Sequence, residues 1–183
     1  MPPLLQATAL TVLDARWLGL DPAFGLDRTL ASLARARGLR VASLETVADQ
    51  IRALQPADAQ TLQVQLGQAL QQFEDGTARR VMARLVQDWE NGDLGRLSSY
   101  EAWCECLSTP EDRQLMQRMN DGRNPALADG ILALHRRGGP VFAAVGALHM
   151  TGPAALPALL AARGFRVERV MFSPPGRTIT QRN

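Results

Sequence analysis

The chain has 183 residues, enough for one domain and cramped for two. Hydrophobic residues make up 46% and charged residues 21%, the balance of a folded globular chain, and the 15 glycines follow no fixed period, which excludes a collagen-like repeat. Net charge is only +2, the basic residues are all arginine and scattered, and aromatics are 5%, so a nucleic-acid surface is not expected.

Residues 4–18 read as a Leu- and Ala-rich helix ending near Gly19, with Asp21-Pro22 as a turn. A second helix is predicted over 26–37, with Leu26, Leu30 and Leu33 on one stripe and Gly38 closing it. Residues 39–44 read as a short strand with Glu45 at its carboxyl end. Thr46 caps a short helix over 47–54, with Asp49 three residues on. Residues 57–119 show no strand pattern and form an all-helical insertion, with helices near 59–72, 77–90, 97–107 and 111–119.

Strand–helix alternation then returns. Asn124 reads as an N-cap with Pro125 at the first helical position, followed by Leu127, Ile131 and Leu134 at helical spacing. The apolar run over 141–147 reads as a strand buried on both faces. A helix over 153–163 and a half-exposed strand over 165–172 complete a right-handed βαβ unit. The expected fold is therefore α/β, a short, mostly parallel sheet of three strands with a helical insertion. Three strands are few for such a sheet, and its open edges would favour self-association or a partner.

Cys104 and Cys106 are separated by one residue, neither a C-x-x-C redox motif nor a zinc spacing, and read as small buried apolar residues. No stretch of 18 apolar residues is present, so no membrane span is expected. Met1-Pro2-Pro3 lacks a basic leader, so the chain as written reads as cytoplasmic, and as exported if an upstream start carries a signal.

Glu45 and His149 each fall at or just past the carboxyl end of a predicted strand, the rim where open α/β sheets bind ligands. A carboxylate and an imidazole on one rim can perform acid–base work or supply two ligands to a divalent metal. Gly146 allows close backbone approach to a ligand, and the helix after Gly152-Pro153 offers free N–H groups to an anion. Arg123 either holds a substrate carboxylate or pairs bidentately with Glu45. Asp27 is a second-rank candidate in the first turn of its helix, where the dipole favours an acid. His135 reads as a surface residue at a helix end. No nucleophile elbow, phosphate loop or H-E-x-x-H is present.

Taken in order, these segments resemble the TraB/GumN family. The resemblance rests on Gly25-Leu26-Asp27, on Val41-Ala42-Ser43-Leu44-Glu45-Thr46 with Gln50, on Arg123-Asn124 before a helix, and on Val145-Gly146-Ala147-Leu148-His149 followed by Gly152-Pro153 and Gly164-Phe165-Arg166-Val167. It spans nearly the whole chain. Members include bacterial GumN-like proteins, pheromone-shutdown TraB proteins and the animal TIKI proteins, which look like metal-dependent proteases, and haem-binding relatives share the fold. The resemblance implies a hydrolase or peptidase-type site of Glu45 and His149, supported by Arg123, Asn124, Gly146 and Asp27. Glu45 and His149 would be ligands of Mn, Co or Zn, and the substrate, unnamed by the sequence, would be a peptide in the TIKI manner. A haem site would instead use His149 and Met150. The family also carries an earlier strand with a first G-x-x-H that has no counterpart here. That departure implies an incomplete sheet and, as the alternative function, a truncated non-catalytic domain that binds a partner.

Overall fold

Helices make up all the regular structure of the computed structural model, which describes residues 2–171. The α-helices are α1 (Pro3–Asp14), α2 (Leu26–Ala36), α3 (Val47–Leu54), α4 (Ala59–Glu74), α5 (Thr77–Glu90), α6 (Leu94–Ser98), α7 (Tyr100–Trp103), α8 (Pro110–Met119), α9 (Asn124–His135) and α10 (Leu156–Ala162), with short 3-10 turns at Ala15–Leu18, Pro22–Phe24 and Ala147–Met150. Their ends follow local chemistry. Thr46 and Asp49 form the expected capping box on α3, Thr109 and Asp112 form another on α8, and the Asp58 carboxylate caps α4. α1 packs on α4 and α5, and the buried Asp14 of α1 pairs with Arg79 of α5. Gln65 of α4 donates to the Glu111 carbonyl of α8 over 3.1 Å, and α8 packs on α3.

The α/β expectation is overturned. Among the described residues there is no β-strand and no sheet. Residues 39–43, 140–146 and 165–171 are irregular, and no ladder hydrogen bond joins any of them to another; position 172 lies outside the described residues. The physical reason is pairing. A strand exists only where its N–H and C=O groups meet a neighbouring strand, whatever its side-chain pattern. Nor is the 141–147 run buried on both faces, since Phe142 is 81% exposed. What periodicity reads as strand interior is here mostly exposed irregular chain, of which Leu44 beside the first segment and Val145 in the second pack on the α9–α10 core.

Both cysteines also correct the expectation. Cys104 and Cys106 form a disulfide. α7 ends at Trp103, so the pair does not sit on a helix, and Glu105 takes a positive φ of 54° that turns the two thiols toward one another. Cys104 is fully buried, as expected of it.

The core that positions the site lies between α9 and α10. Leu127, Ala128, Ile131 and Leu156 are its buried residues, and Leu44 and Val145 from the irregular segments pack against it. Gly130 in α9 makes that approach feasible, because a Cβ there would lie 3.3 Å from Leu44 Cδ2. A helical glycine costs about 1 kcal/mol against alanine, and here it admits the residue next to Glu45.

Candidate functional site

A cavity of about 310 Å³ opens over the start of α9, lined by Asp27, Glu45, Gln50, Arg123, Gly146 and His149 together with apolar residues. Six sequence positions spread from 27 to 149 therefore share one concavity. Five of them were singled out as candidates, and Gln50 entered only through the family resemblance.

Arg123 resolves its two readings in favour of the bidentate pair. Its Nε donates to Glu45 Oε1 at 2.8 Å, its Nη2 donates to Glu45 Oε2, and its Nη1 donates to the Met119 carbonyl at 3.0 Å. The fork is held from the end of α8 and grips the carboxylate in a plane, the geometry that suits guanidinium best. The hydrogen-bonded guanidinium holds the Glu45 carboxyl below its ordinary value of 4.5, against the opposing effect of burial, with the charges of Arg123 and His149 and a Gln50 hydrogen bond acting in the same direction. Glu45 is thus a stable anion and a weak base.

Asn124 corrects a second expectation. Arg123, not Asn124, occupies the helix N-cap, and Asn124 is the first residue of α9. Fully buried, its side chain leaves the helix end uncapped and reaches the 147–154 segment instead. Its Nδ2 donates to the Ala154 carbonyl at 2.8 Å and to the His149 carbonyl at 3.3 Å, while Oδ1 lies 2.6 Å from His149 Nδ1. Two carbonyls on the nitrogen fix which way the amide faces, so Oδ1 must accept and Nδ1 must carry the imidazole proton. That leaves Nε2 as a lone pair. The pyridine-like edge of the ring turns toward Gly146, where an added Cβ would sit 3.7 Å from Cδ2.

The turn carrying His149, residues 147–150, is pinned from outside. The Leu148 carbonyl accepts from Asn120 Nδ2 at 3.1 Å and from Thr151 Oγ1 at 2.8 Å. Gly152 follows with φ of 83°, and a Cβ there would lie 3.1 Å from Asp121 Oδ1, so glycine is required on both counts. α10 begins at Leu156 rather than directly after Pro153, with only seven residues, and so offers no anion site at 153. His135 is exposed at the end of α9, as expected, and its ring meets that of Phe165 in a tilted contact, centroids 5.3 Å apart.

Burial pushes the His149 imidazole below its ordinary value of 6.5, and the Arg123 charge adds to this, while Glu45 and Asp121 oppose it. The unfolded chain therefore takes up the proton first, and stability falls as pH drops below 6.5. In an NMR titration, the His149 imidazole is expected to be still mostly neutral at pH 6.5, with its free lone pair on Nε2; a midpoint above 6.5 would contradict this environment.

The donor set does not fit the metal site expected from the resemblance. A catalytic metal usually takes three protein ligands. Here His149 Nε2 is one available donor, both Glu45 oxygens already accept from a cation, and among the described residues no three His, Cys, Asp or Glu side chains converge. Met150 follows His149 directly, on the same short turn.

The family model for TraB/PrgY/gumN matches residues 1–169, essentially the whole chain. The chain belongs to the TraB/PrgY/gumN family. No curated protein and no solved structure matches it. Of the residues that carried the resemblance, Asp27, Ala42–Glu45, Gln50, Arg123, Val145, Gly146 and His149 line the cavity, while Gly25-Leu26, Gly152-Pro153 and Gly164–Val167 do not. Among the described residues no helix is long and apolar enough to cross a membrane. Sequence reading did not single out Asn120, which braces the His149 turn from the α8–α9 junction through the Leu148 carbonyl, or Asp121, which abuts Gly152. An Asn-Asp-Gly-Arg-Asn run is a plain turn signal, and nothing in it points 28 residues onward.

Proposed function

We propose that the cavity is a hydrolytic site in which neutral His149 is the general base and the Glu45–Arg123 pair is its fixed electrostatic frame. The observation that carries this reading is the 2.6 Å contact between Asn124 Oδ1 and His149 Nδ1 with the amide orientation set by two carbonyls. An imidazole held in one tautomer, with its free lone pair beside a cavity, is built to accept a proton. Nε2 takes a proton from a water that attacks an acyl carbon, and returns it to the leaving group as the ester or amide bond breaks. Glu45 stabilises the transient imidazolium, and Arg123 keeps Glu45 from taking the proton itself. No step is routed through a metal. The Cys104–Cys106 disulfide supports an oxidising compartment over the cytoplasm as the place of action.

The test is a panel of nitrophenyl esters and fluorogenic peptides. His149→Ala is expected to lower kcat/KM by roughly 10²–10⁴, the usual worth of a general base, with unchanged far-UV circular dichroism. The wild-type rate should rise with pH along a limb whose midpoint lies below 6.5. No turnover of any panel member, or equal turnover by His149→Ala, would overturn the reading and leave a binding pocket.

A further inference from the structure

The Cys104–Cys106 disulfide lies outside the cavity, and the hydrolytic reading does not use it. It joins residues two positions apart. A disulfide stabilises a fold chiefly by restricting the unfolded chain, and the gain grows with the loop it closes. For a three-residue loop the gain in the folding equilibrium is about an order of magnitude smaller than for a 15-residue loop. The fold also holds the bridge at a cost. Among the described residues Glu105, between the two cysteines, is the only non-glycine residue with a positive φ, 54°, a region where the Cβ crowds the backbone. Linkage turns both points into chemistry. A disulfide that adds little to folding is one that folding does little to protect from reduction, and such bridges are the labile ones.

The two sulfurs are not equivalent. Cys104 is fully buried and Cys106 is half-buried, so only Cys106 offers its sulfur to a thiolate from outside. Attack on one sulfur expels the other. The Cys106 N–H donates to Cys104 Sγ over 3.2 Å, and a donor on the departing sulfur favours the thiolate that forms there. The Tyr100 hydroxyl lies 3.7 Å from Cys106 Sγ. A disulfide sulfur carries no proton, so the hydroxyl is the donor of that bond. Burial pushes the Tyr100 hydroxyl above its ordinary value of 10.0, so it keeps its proton.

We propose that the Cys104–Cys106 disulfide is a thiol–disulfide exchange site that oxidises the dithiol of a flexible polypeptide, with Cys106 as the sulfur attacked. The substrate's first thiolate bonds to Cys106 Sγ, the Cys104–Cys106 bond breaks, and Cys104 leaves as a thiolate. The substrate's second thiolate then attacks the substrate sulfur of the mixed disulfide, and Cys106 leaves. The substrate gains a disulfide. Its two electrons and two protons end on Cys104 and Cys106, so the bridge itself is the oxidant. A half-buried sulfur must be approached along the S–S axis, which suits a flexible chain. None of this depends on the hydrolytic reading.

The experiment uses the whole chain under argon. Reduction by glutathione is read by alkylation and mass, in buffer and in concentrated urea. The two equilibrium constants are expected to agree within about tenfold; protection of a hundredfold or more in the folded protein would mark a structural staple and overturn the proposal. With oxidised glutathione, Cys104→Ser should hold a stable mixed disulfide at Cys106, and Cys106→Ser should take up less than a tenth as much at Cys104. Equal uptake would overturn the assignment of the attacked sulfur. Finally, a Cys-Gly-Gly-Cys peptide mixed with an equal amount of oxidised protein should appear as its disulfide, matched by reduced protein. No peptide disulfide, or as much of it with the double variant Cys104→Ala and Cys106→Ala, would overturn the exchange activity.

Discussion

Asn124→Ala is expected to destabilise the protein by about 3–5 kcal/mol, because one truncation strands three groups: the His149 Nδ1–H and the carbonyls of His149 and Ala154. A buried group left without its partner costs about 1–3 kcal/mol, and Asn124 is fully buried, so water does not readily take its place. In a chain of this length the fall in Tm is about 6–20 °C. Urea unfolding gives the free energy directly. Asn124→Asp separates packing from polarity: it keeps the shape and an acceptor toward Nδ1, loses both donor bonds, and buries a negative charge beside the ring. The His149 midpoint should then move upward, toward or past 6.5, reversing the effect of burial seen in the native protein. A loss under 1 kcal/mol in Asn124→Ala would mean that the 147–154 segment is not held by this side chain.

Arg123→Ala is expected to cost about 2–3 kcal/mol at pH 7, somewhat less than the loss typical of breaking a fully buried pair, since the two side chains are 21% and 11% exposed. The cost depends on pH with a definite sign. Glu45 has its folded value lowered by the Arg123 hydrogen bonds, so its contribution is fully present above its ordinary value of 4.5 and is lost as pH falls through the lower folded value. The gap between wild type and variant should therefore narrow modestly below pH 6.5, where His149 is held neutral less firmly in the variant, and close in stronger acid as Glu45 is protonated. A gap that persists unchanged at pH 2 would show that Arg123 acts through packing and its bond to the Met119 carbonyl rather than through charge. Removing Arg123 also removes one of the influences that hold His149 neutral, so the pH–rate limb should shift upward in the same variant.

The helices were legible because each carries its own evidence. Thr46 with Asp49, the Leu26–Leu30–Leu33 stripe and the Leu127–Ile131–Leu134 stripe state both element and boundary within a few residues. The three apolar segments were legible as apolar and were misread as strands. Val141 to Val145 has the composition of a buried strand, but nothing in five residues says whether a neighbour exists to accept its hydrogen bonds. The cysteine pair failed for a related reason. Facing directions inferred from an assumed helix do not apply once the helix ends at Trp103 and Glu105 turns left-handed.

The candidate residues came out together even though the architecture used to place them did not. Glu45 and His149 were located by the rim of a sheet that is absent among the described residues, yet they meet through other means. Leu44 packs over Gly130, Val145 packs on the same helix, and the Asn124 side chain reaches across to the turn of His149. Local sequence determined the helices, their caps, the charge balance and the residue types available for chemistry, because those depend on spacing within about ten positions. The tertiary structure decided which carboxylate is spent on an arginine and which nitrogen of His149 keeps its lone pair. Each of those outcomes depends on contacts between residues 25 to 78 positions apart, where chain connectivity imposes no geometry and only packing does.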